Sequence, residues 1–392
     1  MVLEAFSLTQ MEKQDQRIMS VQLTKRALAT GLGAGACALL AETQRASADT
    51  SFTSYSFPAS GAPTARTMPD RLADIVNVRD YGAVGNGVID DTAALQAAID
   101  AAFGPASSPH GIAATSNRPL FFPNGTYLVS SPLTLTRVRG AHIYGSGQLT
   151  TTIQAANGAI MINGMEYCSF ENLSFSAGSG SASSGAVAFE MNWDGTGAVG
   201  LQGNIFTNCS FGGGDYACRI GFSGHGGANN QFYACNFSNA AIAGMVTWSP
   251  GAMGQSIQGG GASINGSAFW VKSGQIASIN DVGLAGNTNQ DVLMDSIGPM
   301  LIKGCRTESP LFCRFNNPLA AVVLDGNSSS MSVKAFCHTQ GKAILDSCST
   351  DTSSSTVLCS DSSFTGTVYI RGCYFAQLNF LTGFAGTVAQ RI

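Results

Sequence analysis

The chain has 392 residues, of which 44% are hydrophobic and only 11% charged, with 47 glycines, 22 phenylalanines and a formal net charge of −4. That hydrophobic fraction excludes a disordered chain, and the mild acidity offers no basic face of the kind that holds nucleic acid. Glycine in such number, beside abundant Ser, Thr and Asn, suits a long β structure with a buried core and many tight turns.

In chain order, residues 1–48 read as an export signal. Lys25 and Arg26 precede an apolar run from Ala27 to Ala41, and Ala46-Ser47-Ala48 supplies a small-residue cleavage site before Asp49. Met19 offers a second start. The run is too short and too glycine-rich for a membrane span. The basic pair, the weakly hydrophobic core and Arg45 resemble a twin-arginine export signal with Lys in the first place. Ordinary secretion stays open, as does an N-terminal helix of the mature protein. Either export route places the protein in the periplasm or outside the cell. Residues 49–75, with Pro58, Pro63 and Pro69 among Ser, Ala and Thr, read as a linker. Residues 76–392 read as one domain.

That domain opens with a strand from Val76 to Tyr81, a glycine-rich turn over Gly82–Gly87, and an amphipathic helix starting near Asp91 or Thr92. Asp90 and Asp91 stand where a carboxylate would cap the helix N–H groups. Ala94, Leu95, Ala98, Ile99 and Ala102 recur at three- and four-residue steps, giving one apolar face. A helix of this length needs something to cover. It is expected to close the open end of a stack. A polar loop over 105–118 follows, then strands near Leu120–Phe122 and Thr126–Val129. The run D-Y-G-A-x-G-N-G-x-x-D-D-T-x-A-L-Q-A-A-I-D-A-A from Asp80, with L-F-F-P-N-G-T-Y-L-V at Leu120–Val129, resembles the start of the pectate-lyase-like proteins. These include rhamnogalacturonase and epimerase-type right-handed parallel β-helices. The resemblance implies an all-β solenoid of that kind, capped at 76–135, and leaves the reaction to be argued from a site.

Similar phrases recur at Ile143, Cys168, Cys209, Cys235, Ile264, Cys305, Cys348 and Cys373, the 41-residue step from Cys168 to Cys209 marking an insertion. Such recurrence signals a solenoid whose repeats bury their apolar faces on one another. Eleven cysteines become ten once Cys37 leaves with the signal, an even number that invites a disulfide framework. Cysteines at equivalent places in successive coils instead suggest a ladder of small buried thiols, and free thiols are expected over bridges.

A second strand follows in most coils, and alternation divides its side chains. Val187, Phe189, Phe269, Val271, Val292, Met294, Cys313 and Phe315 are expected inside. Glu190, Arg219, Thr247, Trp270, Lys272, Asp291, Asp295 and Arg314 are expected outside. All three tryptophans, Trp193, Trp248 and Trp270, fall on or beside this sheet. Indole faces stack well on sugar C–H faces, so Trp193, Trp248, Trp270, Lys272 and Arg314 form a candidate polysaccharide groove. The alternative is that the tryptophans pack under loops.

Glycoside hydrolysis needs two carboxyls, about 5 Å apart for retention and roughly 6.5–9.5 Å for inversion. Adjacent-coil pairs are Glu190 with Asp215 and Asp295 with Glu308. Asn208–Cys218, N-C-S-F-G-G-G-D-Y-A-C, resembles a region of polygalacturonase-type hydrolases, with Tyr216 where their second aspartate would be. That departure leaves an acid pair incomplete, and Gly224-His225-Gly226 stands too near Asp215 to complete the pattern. A lyase instead needs a base and cations beside the substrate carboxylate, for which Arg219 and Arg314 are best placed. The resemblance would allow calcium held by carboxylates, yet no aspartates cluster on neighbouring coils, and no metal or other cofactor is expected. The reading is an exported lyase or glycoside hydrolase of an acidic polysaccharide. A non-catalytic glycan-binding or scaffold protein and a tailspike-like depolymerase are the alternatives, as monomer or homotrimer.

Overall fold

A computed structural model of the protein describes residues 56–104, 117–155, 160–177, 186–193, 200–222, 225–330, 335–351, 363, 365–375 and 386–390. The export segment, most of the 105–118 loop, Gly224 and Cys359 lie outside them. The chain divides into two compact units, 1–74 and 75–392. In the first, Ser56–Pro58 pairs antiparallel with Ala65–Thr67, followed by helix α1, Met68–Leu72. Thr67 accepts the Asp70 N–H, and the Arg66 guanidinium joins Asp70 and Asp74 at 2.6 and 2.7 Å. The span read as a linker thus carries a hairpin and a helical turn.

The second unit begins with strand Val76–Asn77 and a 3-10 turn, Val78–Tyr81, where one longer strand was expected. Helix α2 runs from Thr92 to Phe103 and buries Leu95, Ala98, Ile99, Ala102 and Phe103. Its capping differs from expectation. Asp91 turns away from the helix and accepts the Val84 and Gly85 N–H groups at 2.7 and 3.0 Å, bracing the glycine-rich loop. Asp90 accepts the Thr92 N–H at 3.0 Å and the Ser130 hydroxyl at 2.6 Å, and these bonds lower its pKa to about 2.

Beyond the cap the chain is a right-handed parallel β-helix. Its strands form sheets of thirteen, eleven and ten strands among the described residues. Parallel pairing in register puts matching residues of successive coils in columns about 4.8 Å apart. Two phenylalanine columns fill the centre. Phe170, Phe206 and Phe232 stack at 5.0 and 4.8 Å, and Phe175, Phe211 and Phe237 at 5.4 and 5.2 Å. Each buried ring contributes about 1.5–3 kcal/mol.

The corners share one device, a residue in the left-handed conformation followed by an inward side chain. At the corner after the thirteen-stranded sheet, Asn208, Ala234, Asp281 and Ser347 hold φ between 50 and 55°, and Gly304 and Gly372 do the same at 64 and 58°. The inward residues that follow include Cys209, Cys235, Val282, Cys305, Cys348 and Cys373. Their thiols donate to nearby carbonyls, as Cys209 Sγ does to Phe170 O at 3.4 Å. The nine described cysteines are free. Cys168 follows Tyr167 at a different corner, before the thirteen-stranded sheet, where its column continues as Asn204, Asn230 and Gln255. Its likeness to the other phrases reflects a shared turn, not a shared column. At the third corner Asn265 and Asn287 form a second amide ladder, at 3.0 Å, which ends on Ser309.

Alternation fails at one place in the ten-stranded sheet. In the strands from Val187–Asn192 to Ala335–Thr339 the second residue is skipped in the pairing, as Ala188 and Ala217 lie between the paired Val187–Tyr216 and Phe189–Cys218. Two consecutive side chains therefore face inward there. This corrects three expectations. Val187 belongs to an outer apolar cluster. Asp291 is fully buried, held by Asn287 at 2.8 Å and by the Thr307 hydroxyl. Thr247 pairs with the inward Val271 and is fully buried, leaving Val246 as the outward residue.

Burial pushes the Asp291 pKa up to about 6, against three hydrogen bonds that lower it. The folded state thus binds this proton more tightly than the unfolded state, so stability falls as pH rises from about 4 through 6. A shift of this size corresponds to roughly 2–3 kcal/mol. Asp291→Asn is expected to remove that decline, measured as denaturant midpoint against pH. A second expectation concerns Ile264, a β-branched residue at φ 58° and 62% exposed. Left-handed backbone costs such a residue about 1–2 kcal/mol. Ile264→Asn should raise stability by about 1 kcal/mol in the same assay.

Candidate functional site

The outer face of the ten-stranded sheet carries rows that run along the solenoid axis. One row reads Glu190, Arg219, Val246, Trp270, Leu293, Arg314, His338. The next, just past the strand ends, reads Trp248, Lys272, Asp295, Asn316, Gln340, their N–H groups extending the ladder. From Trp248 to Gln340 is four coil steps, about 19 Å.

At one end of these rows, Trp248 and Trp270 pack on the outer apolar cluster of Val187, Tyr216, Ala243 and Val246. Their ring centroids are 6.0 Å apart at 62°, and Phe222 meets Trp248 edge-on at 5.2 Å. Lys272 Nζ stands 3.4 Å from the Trp248 centroid and 5.4 Å from that of Trp270. Arg219 lies 3.7 Å over Phe222. Each such contact is worth about 0.5–2 kcal/mol. The indoles are half-buried, and one face of Trp248 already holds a cation.

Glu190 and Arg219 come together as an ion pair at 2.6 Å, both more than nine-tenths buried, and Asn192 donates to the other Glu190 oxygen. The Arg219 Nε atom has no hydrogen-bond partner among the described residues. Further along, Asp295 accepts the Trp270 Nε1–H and the Asn316 side-chain N–H, each at 2.7 Å. Arg314 Nε donates to Asn316 at 3.2 Å. Trp270, Asp295, Asn316 and Arg314 therefore form one polar chain across three coils, with Lys272 beside it.

The structure does not bring the expected carboxyl pairs together. Asp215 is buried at the corner before strand Tyr216–Ile220, level with Ala186. It is four positions, about 13 Å along the strand, from the level of Glu190. Glu308 sits on the face of the eleven-stranded sheet, paired with Arg306 at 3.3 Å. It borders a concavity of 510 Å³ floored by Ser, Gly and Ala, and a second of 650 Å³ lies on the same sheet. Trp193 also stands apart. It bridges antiparallel to His225, meets that ring edge-on at 5.5 Å and packs on the main core. Glycine is required beside His225 for steric reasons, since a Cβ at Gly226 would lie 2.3 Å from Ala252 N and one at Gly227 1.8 Å from Leu201 O. Among the described residues no three His, Cys, Asp or Glu side chains cluster as metal ligands, and no helix is long and apolar enough to cross a membrane.

Sequence reasoning missed Tyr216, Phe222, Asn316 and His338. Asn316 was within reach, because it follows its strand as Asp295 and Lys272 follow theirs. Seeing that requires the strands to be aligned first.

Residues 75–178 match the family model described as rhamnogalacturonase A/epimerase, pectate lyase-like. Mannuronan C5-epimerase AlgE2 of Azotobacter vinelandii is 41% identical over 87 residues, 21% of this chain and 8% of the epimerase. The chain thus spans under a tenth of that relative's length. The AlgE4 A-module, a mannuronan C-5 epimerase structure from the same organism, superposes with a TM-score of 0.50 at 16% identity, over 80% of this chain and 99% of the module. A double-mutant tailspike protein of E. coli bacteriophage HK620 gives 0.55 at 14% identity, over 87% of this chain and 75% of the tailspike. At these identities the structural likenesses are likenesses of fold.

Removing one partner of a buried ion pair leaves an uncompensated charge, a loss of about 3–5 kcal/mol. Glu190→Gln should therefore lower the denaturation midpoint sharply, whereas Asp295→Asn, on a half-exposed acid, should lower it by about 1 kcal/mol.

Proposed function

We propose that this pectate lyase-like β-helix is a carbohydrate-active protein that binds an acidic polysaccharide along the outer face of its ten-stranded sheet. The observation that carries the reading is the polar chain Trp270–Asp295–Asn316–Arg314 with Lys272 alongside. It sets an indole, two cations and fixed hydrogen-bond groups at coil spacing in a line. An extended polymer of uronic acids presents carboxylates and apolar ring faces in the same alternation. Lys272 and Arg314 would take the carboxylates, Arg314 with its planar fork. Trp270 would take a ring face. The mannuronan epimerases among the relatives agree with a uronate substrate.

Within that reading, proton abstraction beside the carboxylate, as in lyases and epimerases, fits the face better than hydrolysis. The two cations can stabilise charge on a carboxylate as its neighbouring proton leaves. Asp295 stands on this face apart from the Glu190–Arg219 pair, and two side-chain donors hold its oxygens. That suits a positioning role. His338, in register with Arg314, supplies an imidazole in the same row. Export to the periplasm or beyond belongs to the same reading, since such polymers are found there. A purely binding role is the second reading, and it is favoured by the lack of a close carboxyl pair among the described residues of this face.

Titration with oligomers of mannuronate and galacturonate, followed by tryptophan fluorescence, tests the reading. Lys272→Ala and Arg314→Ala are each expected to weaken binding about tenfold, the size of one charge-assisted hydrogen bond. Unchanged affinity in both variants would overturn it. Unsaturated ends or altered uronate stereochemistry in the products would establish the enzyme; binding without either would establish the second reading.

A further inference from the structure

We infer that Cys348 and Cys373 are a disulfide-forming pair that fastens two consecutive coils of the β-helix. The two cysteines occupy the same place in consecutive coils. Each follows a left-handed residue, Ser347 at φ 53° and Gly372 at φ 58°, and their strands run in register from Lys342–Thr367 to Asp346–Arg371. Neighbouring parallel strands place such Cα atoms about 4.8 Å apart, inside the roughly 4.4–6.8 Å span of disulfides. The Cys373 sulfur already sits 3.4 Å from the Cys348 backbone nitrogen. Both thiols point the same way, since Cys348 Sγ donates to Leu324 O at 3.2 Å and Cys373 Sγ to Leu345 O at 3.4 Å.

Exposure of one member, Cys373, separates this pair from the other stacked thiols; Cys348 is itself buried. Cys209 with Cys235, and Cys313 with Cys337, are fully buried, so no oxidant reaches them without unfolding. Cys373 is half-buried, and a hydrogen bond from Cys348 holds its thiol below the usual value. Thiolate character and access are what thiol–disulfide exchange requires. The oxidant is a small or protein disulfide. The Cys373 thiolate attacks one of its sulfurs, breaking that S–S bond and releasing one thiolate. Cys348, whose thiol the Cys373 hydrogen bond and burial push up, is the resolving partner: it attacks Cys373 Sγ in the mixed disulfide, gives up its proton as the bond forms, and releases the second. Two thiols are oxidised, one disulfide is reduced to two thiols, and the protons pass to the leaving thiolates through solvent.

The closed loop stabilises chiefly by restricting the unfolded chain.

The test is incubation of the full-length protein with oxidised glutathione, followed by non-reducing peptide mapping. A Cys348–Cys373 cross-linked peptide, with Cys209, Cys235, Cys313 and Cys337 still free, is the expected result. In Cys348→Ser the glutathione adduct should persist on Cys373, and in Cys373→Ser neither adduct nor cross-link should form. A lasting adduct on Cys373 in the unsubstituted protein would overturn the inference, as would a cross-link from Cys373 to Cys359.

Discussion

The stacking of coils in parallel register is the constraint on which everything else in the second unit rests. Once the spacing between strands is set at about 4.8 Å, any residue type placed at one position of the coil becomes a column. The columns differ by corner and face, and each has its own physics. Phenylalanines stack in the centre because aromatic rings at this distance pack offset and exclude water. Asparagines at two corners bond to one another and to the backbone, which satisfies buried amides along the column. Thiols serve at the remaining corner as small side chains that still bond to carbonyls. The left-handed turn is what all three corners share, and it is paid for locally by residues such as Ile264 that hold it without being glycine.

The same constraint explains why charge can stand on the outer face. Cations there are not scattered. Arg219 and Lys272 lie over aromatic rings, and Arg219 is neutralised by Glu190 in the neighbouring coil. Burial of that pair makes it part of the scaffold, so the cations left on the outer rows are those two and four coils further on, Lys272 and Arg314. Trp270 links the two regions. Its ring packs on the apolar cluster while its N–H reaches Asp295, so the polar chain is anchored on a rigid hydrophobic base.

The cap and the solenoid were legible because each has a local signature. Helix α2 begins at Thr92, within a residue of the expected start, since its apolar spacing and the aspartates before it mark the boundary. The placement of side chains was less legible. Strict alternation assigns Asp291 outward, and it lies in the core because its strand and the neighbouring strand skip a pairing at their second residue. Nothing in five residues of sequence announces such a skip; it follows from how a corner enters a sheet. Cys168 was grouped with the other cysteines because two different corners use the same turn. Glu308 and Asp295, expected as a pair on adjacent coils, stand on different sheets for a related reason. Within one coil a few residues span a corner, so closeness in number does not mean a shared face.

Two surfaces compete as ligand sites, and they are chosen by different criteria. The concavities lie over the eleven-stranded sheet, where side chains are so small that the backbone is near the surface. The outer rows of the ten-stranded sheet are less hollow but richer in chemistry. Shape favours the first, yet its floor is serine, glycine and alanine, and its charges, Arg306 and Glu308, face each other. Such a floor can bond to many ligands weakly and to none in particular. A polymer of charged sugars is recognised by repeated carboxylates and ring faces at intervals, and it needs partners fixed at intervals of their own. The ten-stranded sheet supplies those through its coil spacing, with Trp270, Lys272 and Arg314 each held by a neighbour that limits its motion or lies against its ring. Preorganised groups lose less on binding than free ones, so the rows are the better candidate for recognition than the hollow.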